Sequence, residues 1–197
     1  MFVLMSGMLG VNVDLWALFV QDSVPARSDR EATGPFIGHV DSKQALVWYR
    51  PVAPGQYTLL VHAGDSTQAN PVKTRAFSNR SDVADDLCMT WRVTDLKPNT
   101  EYRYEIRKGD ANGDRLVDNV DCRFRTARVD EEPCQVTLAF GSCASSSDFF
   151  EIWEKIDQQN IDGLGLLGDT PYIDSSDREL NRKRHREFLQ MPTLARL

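Results

Sequence analysis

VTLAFGSCASSSDFFEIWEKIDQQNIDGLGLLGDTPY, residues 136–172, runs from a short apolar stretch through a small-residue loop and an amphipathic stretch to a second apolar stretch. Residues 136–140 form a nearly continuous apolar run, the pattern of a strand buried on both faces. Asp148 is placed to cap a helix whose apolar positions include Phe149, Ile152, Trp153 and Ile156. Asp162 to Leu167 then supplies a second strand ending in Gly168-Asp169. Strand, loop, helix and strand make a βαβ unit, and a parallel sheet presents its functional loops at the carboxyl ends of its strands. Cys143 follows the first strand and Asp169 the second, so both are expected on one edge. Tyr172 can bend back toward Asp169 across Thr170 and Pro171, and Asp174 adds a carboxylate. Thiol and carboxylate are both ligand types for a Lewis-acid metal. Against this, Gly-Asp pairs are common turns and a lone buried Cys is usually a small hydrophobe.

Upstream the texture differs. GPFIGHV, KQALVWYRPV, GQYTLLVHAG, PVKTRAFSN, LCMTWRV, TEYRYEIRKG and VDCRFRTA are seven short candidate strands within 34–127, separated by turn residues. Such a series predicts a two-sheet sandwich. In KQALVWYR, Leu46 and Trp48 share one face and Val47 and Tyr49 the other, and Trp48 is expected as the core plug, deeply buried like Leu96. Asp110-Ala-Asn112-Gly-Asp114, with Asp118 and Asp121, has the oxygen spacing of a calcium loop. Arg115 stands where that loop requires Gly, and a hairpin turn is the simpler account. His39 and His62 belong to the sandwich by pattern, and His185 lies in a charged run read as a solvated helix face within a helix over 177–190, where Leu180, Arg184 and Phe188 share a stripe.

The chain has 197 residues, enough for one well-buried domain or for a domain of about 100 residues and part of a second. With 23 Lys and Arg against 29 Asp and Glu, the net charge of −6 argues against nucleic acid or an anionic lipid surface as a partner. The four cysteines, Cys88, Cys122, Cys134 and Cys143, include no Cys-x-x-Cys pair of the structural zinc kind. Cys88 and Cys122 fall in different strands and could pair, whereas Cys143 stays a free thiol if it is a ligand. Residues 1–20 are apolar but lack a basic start and are interrupted by Asn12 and Asp14, which makes a poor signal peptide and a poor membrane span. A peripheral strand or helix, a degenerate export signal and disorder all remain open for them. Residues 21–33 read as linker.

Two resemblances sharpen this. Leu96-x-Pro98-x-Thr100-x-Tyr102, a Trp in the second strand and the closing Phe-Arg-Thr-Ala of 124–127 resemble a fibronectin type III sandwich, in which the tyrosine hydroxyl bonds back to the backbone and pins a corner. GPFIGHV at 34–40, VWYRPV at 47–52, Phe140-Gly-Ser-Cys143 and Leu166-Leu-Gly-Asp169 followed by Tyr172 together resemble the PhoD-like alkaline phosphatases, a branch of the calcineurin-like metallophosphoesterases. The fold expected is therefore an all-β sandwich followed by the start of an α/β metallophosphoesterase domain. Its divisions are an apolar segment and linker over 1–33, a fibronectin type III-like sandwich over 34–127, and the N-terminal part of a catalytic domain over 134–197.

The resemblance implies a metal-dependent phosphoric monoester or diester hydrolase. Cys143 and Tyr172 would be the thiolate and phenolate ligands of Fe3+, and Asp169, the catalytic carboxylate, would bridge that iron to Ca2+. It implies a phosphate ester substrate and an extracellular, periplasmic or cell-envelope setting. The family continues with further Asp and His ligands that this sequence does not offer after Tyr172, so an incomplete catalytic unit is expected, inactive alone, with a complementing C-terminal polypeptide as partner. The competing expectation is a noncatalytic extracellular or envelope module that binds protein or glycan through the sandwich.

Overall fold

The computed structural model describes residues 2–5, 31–64, 74–117, 122–129, 133, 135–144, 150–192 and 194. The chain divides into two compact units, Arg30–Pro133 and Met1–Asp29 together with Cys134–Leu197. The chain's first strand, β1 (Phe2–Met5), therefore goes with the C-terminal unit.

The first unit is a β-sandwich of seven strands, β2 (Thr33–Val40), β3 (Ala45–Arg50), β4 (Gly55–Ala63), β5 (Thr74–Ser81), β6 (Met89–Val93), β7 (Glu101–Lys108) and β8 (Arg123–Arg125). They form one sheet in the order β2-β3-β6 and another in the order β5-β4-β7-β8, with every pairing antiparallel. Alternate residues of both sheets point inward. Ala45, Val47, Tyr49, Trp91 and Val93 from one sheet meet Tyr57, Leu59, Val61, Tyr102, Tyr104, Ile106 and Phe124 from the other in a single buried cluster. Burying each large apolar side chain is worth about 1.5–3 kcal/mol, which is what holds the two layers together.

The period of two in β3 is present, but its phase is opposite to expectation. Val47 and Tyr49 face the core, while Trp48 is only half-buried on the outer face, stacked on Phe36 with ring centroids 5.7 Å apart. The core tryptophan is Trp91, which sits opposite Val47 in the ladder and is 2% exposed. Each face of β3 carries one aromatic residue, so alternation within that strand gave no basis for choosing between them. Leu96 is buried as expected, and the Tyr102 hydroxyl accepts a hydrogen bond from the Lys97 N–H at 2.9 Å, closing the corner before β7. Thr126 completes it, its hydroxyl donating to the Lys97 carbonyl at 2.6 Å and accepting from the Thr100 N–H at 2.9 Å.

Asp110 to Asp114 is a hairpin turn. The Asp110 carboxylate accepts from the Asn112 N–H at 2.8 Å, and the Lys108 N–H donates to the Asp114 carbonyl at 2.9 Å. A Cβ at Gly113 would lie 1.7 Å from the Lys108 carbonyl oxygen, so only glycine fits there. Asp118 and Asp121 lie outside the described residues, as do Cys134, Asp148 and Phe149. No disulfide joins Cys88 and Cys122: Cys88 donates weakly to the Asp86 carbonyl, and Cys122 lies against Tyr104.

In the second unit, β9 (Leu138–Gly141), α1 (Phe150–Asp157), β10 (Gly163–Leu166) and α2 (Arg178–Leu189) follow in order. β10 runs parallel to β9 in the register Gly163 to Leu138 through Leu166 to Gly141, and β1 runs antiparallel on the other side of β9. Strand, helix and parallel strand make this a βαβ unit. Trp153 and Ile156 of α1 pack with Ala139, Phe188, Met191 and Leu194, and Trp153 meets Phe188 edge-on at 5.9 Å. Asp177 caps α2 by accepting from the Leu180 N–H at 2.7 Å.

One expectation is corrected here. The first strand is not buried on both faces: Ala139 is 2% exposed, but Leu138 is 40% exposed and Val136 49%. The two helices cover Ala139's side alone. α2 forms where the helix over 177–190 was expected, and in its stripe Phe188 is buried, edge-on to Trp153, while Leu180 is exposed. No helix among the described residues is long and apolar enough to cross a membrane.

Candidate metal centre

Parallel register brings the ends of β9 and β10 out side by side. The ladder continues past both strands, with the Leu167 N–H donating to the Gly141 carbonyl at 2.7 Å and the Cys143 N–H to the Gly168 carbonyl at 3.1 Å. Adjacent strands lie about 4.8 Å apart, so residues just beyond these bonds are neighbours. Each chain then turns sharply. Cys143 (φ 59°), Asp169 (φ 49°) and Gly168 (φ 128°) all take positive φ, and a non-glycine residue there is uncommon. Held strain of this kind collects at functional sites. The Thr170 hydroxyl donates to the Gly168 carbonyl at 2.9 Å and ties down the turn after Asp169.

The Cys143 thiol donates to Asp169 Oδ2 at 3.8 Å. Tyr172 hydrogen-bonds the Cys143 sulfur, so the structure brings all three sequence-chosen residues to one edge of the sheet. That bond is the main reason the Tyr172 phenol is pushed up to about 12. Partial desolvation and the negative charges of Cys143, Asp169 and Asp174 push the same way. These causes favour the protonated phenol. A bound cation would reverse that balance.

Two donors that share one transition-metal ion at about 2.0–2.3 Å each can be no more than about 4.3 Å apart, and the Cys143 to Asp169 separation lies inside that limit. Sulfur, carboxylate and phenol oxygen make a donor set whose chemistry would fit a high-charge cation. Cys143, Asp169 and Tyr172 are all exposed, which leaves coordination positions open to solvent or substrate. Among the described residues no group of three or more His, Cys, Asp or Glu side chains gathers that could hold a metal ion. The histidines do not join. His39 lies 3.3 Å from Asp41 and His62 bonds Thr74 at 2.9 Å, both in the sandwich, and His185 is exposed on α2.

What sequence reasoning missed is the backbone. The Gly168 carbonyl receives both Cys143 and Thr170, and Gly168-Asp169 supplies the left-handed turn. The glycine before Asp169 was the available signal.

No protein-family profile matches this sequence, and no curated protein does. Among solved structures the chain is similar to PhoD, with a TM-score of 0.64 at 15% identity, covering 90% of this chain and 38% of that one. Smaller likenesses reach the FN5 domain of Drosophila Lar (TM-score 0.34, 20% identity, 49% of this chain and 89% of that one) and the third fibronectin III domain of human KIAA0343 (TM-score 0.36, 14% identity, 56% and 94%). The chain thus spans 38% of the PhoD chain it matches, and at 15% identity the likeness is one of fold: a β-sandwich joined in sequence to a unit with a short mixed sheet.

Proposed function

We propose that residues 134–197 carry part of the active site of a PhoD-like, metal-dependent phosphoric ester hydrolase, and that the donors on these residues do not by themselves make a complete catalytic site. The observation that carries the reading is the convergence of Cys143, Asp169 and Tyr172 at the carboxyl ends of two parallel strands. The likeness in fold to PhoD supports it.

In this reading Cys143, Tyr172 and Asp169 would be the residues that hold the metal ions, expected to be Fe3+ and Ca2+. The pair of ions, when bound, supplies Lewis acidity toward a phosphoryl oxygen and a hydroxide at neutral pH. The chain's own contribution is positional. The ladder bond from the Cys143 N–H to the Gly168 carbonyl fixes the spacing of the two loops, and the Thr170 hydroxyl holds the turn that aims Asp169. Tyr172 would supply its phenolate oxygen to the cation. These three donors alone would leave most positions of two cations to be filled by further donors. An extracellular, periplasmic or envelope setting belongs to the same proposal.

The test is turnover and binding together. Purified chain given ferric and calcium ions is expected to hydrolyse 4-nitrophenyl phosphate and its bis-ester no faster than the Asp169→Ala variant, while still binding iron loosely. Robust turnover lost in Asp169→Ala would keep the site and overturn the claim that its donors are insufficient by themselves. Iron binding indifferent to both Asp169→Ala and Cys143→Ala would overturn the site.

A further inference from the structure

We draw no further inference here: the strongest candidate, the exposed apolar patch of Val136, Leu138 and Leu167 on the sheet of β9 and β10, carries nothing, because nothing in the structure shows what covers it.

Discussion

Asp41 shows how one side chain can organise a turn. Its carboxylate accepts from the Lys43 and Gln44 N–H groups at 2.7 and 2.8 Å and from the Gln44 amide at 2.9 Å, and His39 lies 3.3 Å away. The Lys43 N–H first, then the others, hold its pKa down at about 2. A carboxylate with a depressed folded-state pKa contributes stability that is present above its unfolded value and is lost as pH falls through the folded value. In urea unfolding, Asp41→Asn is therefore expected to be less stable than the parent at neutral pH, with the gap closing between about pH 4 and pH 2. A gap that is constant across that range contradicts the assignment. The two tryptophans of the first sheet give a second contrast. Trp91→Ala removes a side chain from the core and is expected to cost about 3–5 kcal/mol, while Trp48→Ala, on the outer face, is expected to cost less than half of that. Equal losses in denaturant midpoint would mean that both faces of β3 are core. That Cys143, Asp169 and Tyr172 come together was legible because each lies a short distance beyond an apolar run. The core tryptophan was not, since burial depends on which sheet face meets the other layer and β3 carries aromatics on both.

At the scale of elements, the pairing of β9 with β10 depends on glycine. Gly165 lies opposite Phe140, and a Cβ there would come 2.7 Å from the Phe140 ring. Gly165→Ala is expected to force that ring aside and destabilise the second unit by about 1–3 kcal/mol, with partial rescue when Phe140→Leu is added. Additive losses in the double variant would show that the ring and the glycine do not meet. The order of elements was readable from the switch of apolar period, from two over 34–127 to strand, helix and strand over 136–167. The corner at Tyr102 was readable from the spacing of Leu96, Pro98 and Tyr102. Burial of β9 on both faces was not borne out, because an apolar run specifies a strand without specifying how many layers pack on it. Leu138 and Val136 are exposed where Ala139 is covered.

Across the whole molecule the two units differ in how much core they own. Fifteen residues form the buried apolar cluster of the sandwich and seven that of the second unit, among the described residues. Val136, Leu138, Leu166, Leu167, Tyr172 and Leu180 of the second unit are all exposed. Local opening free energy follows buried apolar contact, so amides within 138–189 are expected to exchange faster with deuterium than those of β3, β4 and β7. Equal protection would contradict this difference. The central claim is that Cys143, Asp169 and Tyr172 can share one cation, and the spectrum of bound iron tests it most directly. Tyr172 is 51% exposed, whereas Tyr49, Tyr57, Tyr102 and Tyr104 are buried in the sandwich core, so a ferric phenolate can form at one tyrosine of the five. Titration with ferric ion, supplied as a nitrilotriacetate chelate near neutral pH, is predicted to give a visible phenolate-to-iron absorption band that saturates only at high metal concentration, disappears in Tyr172→Phe and weakens in Cys143→Ala. A band that survives Tyr172→Phe unchanged, or no band at any metal concentration, would contradict the account.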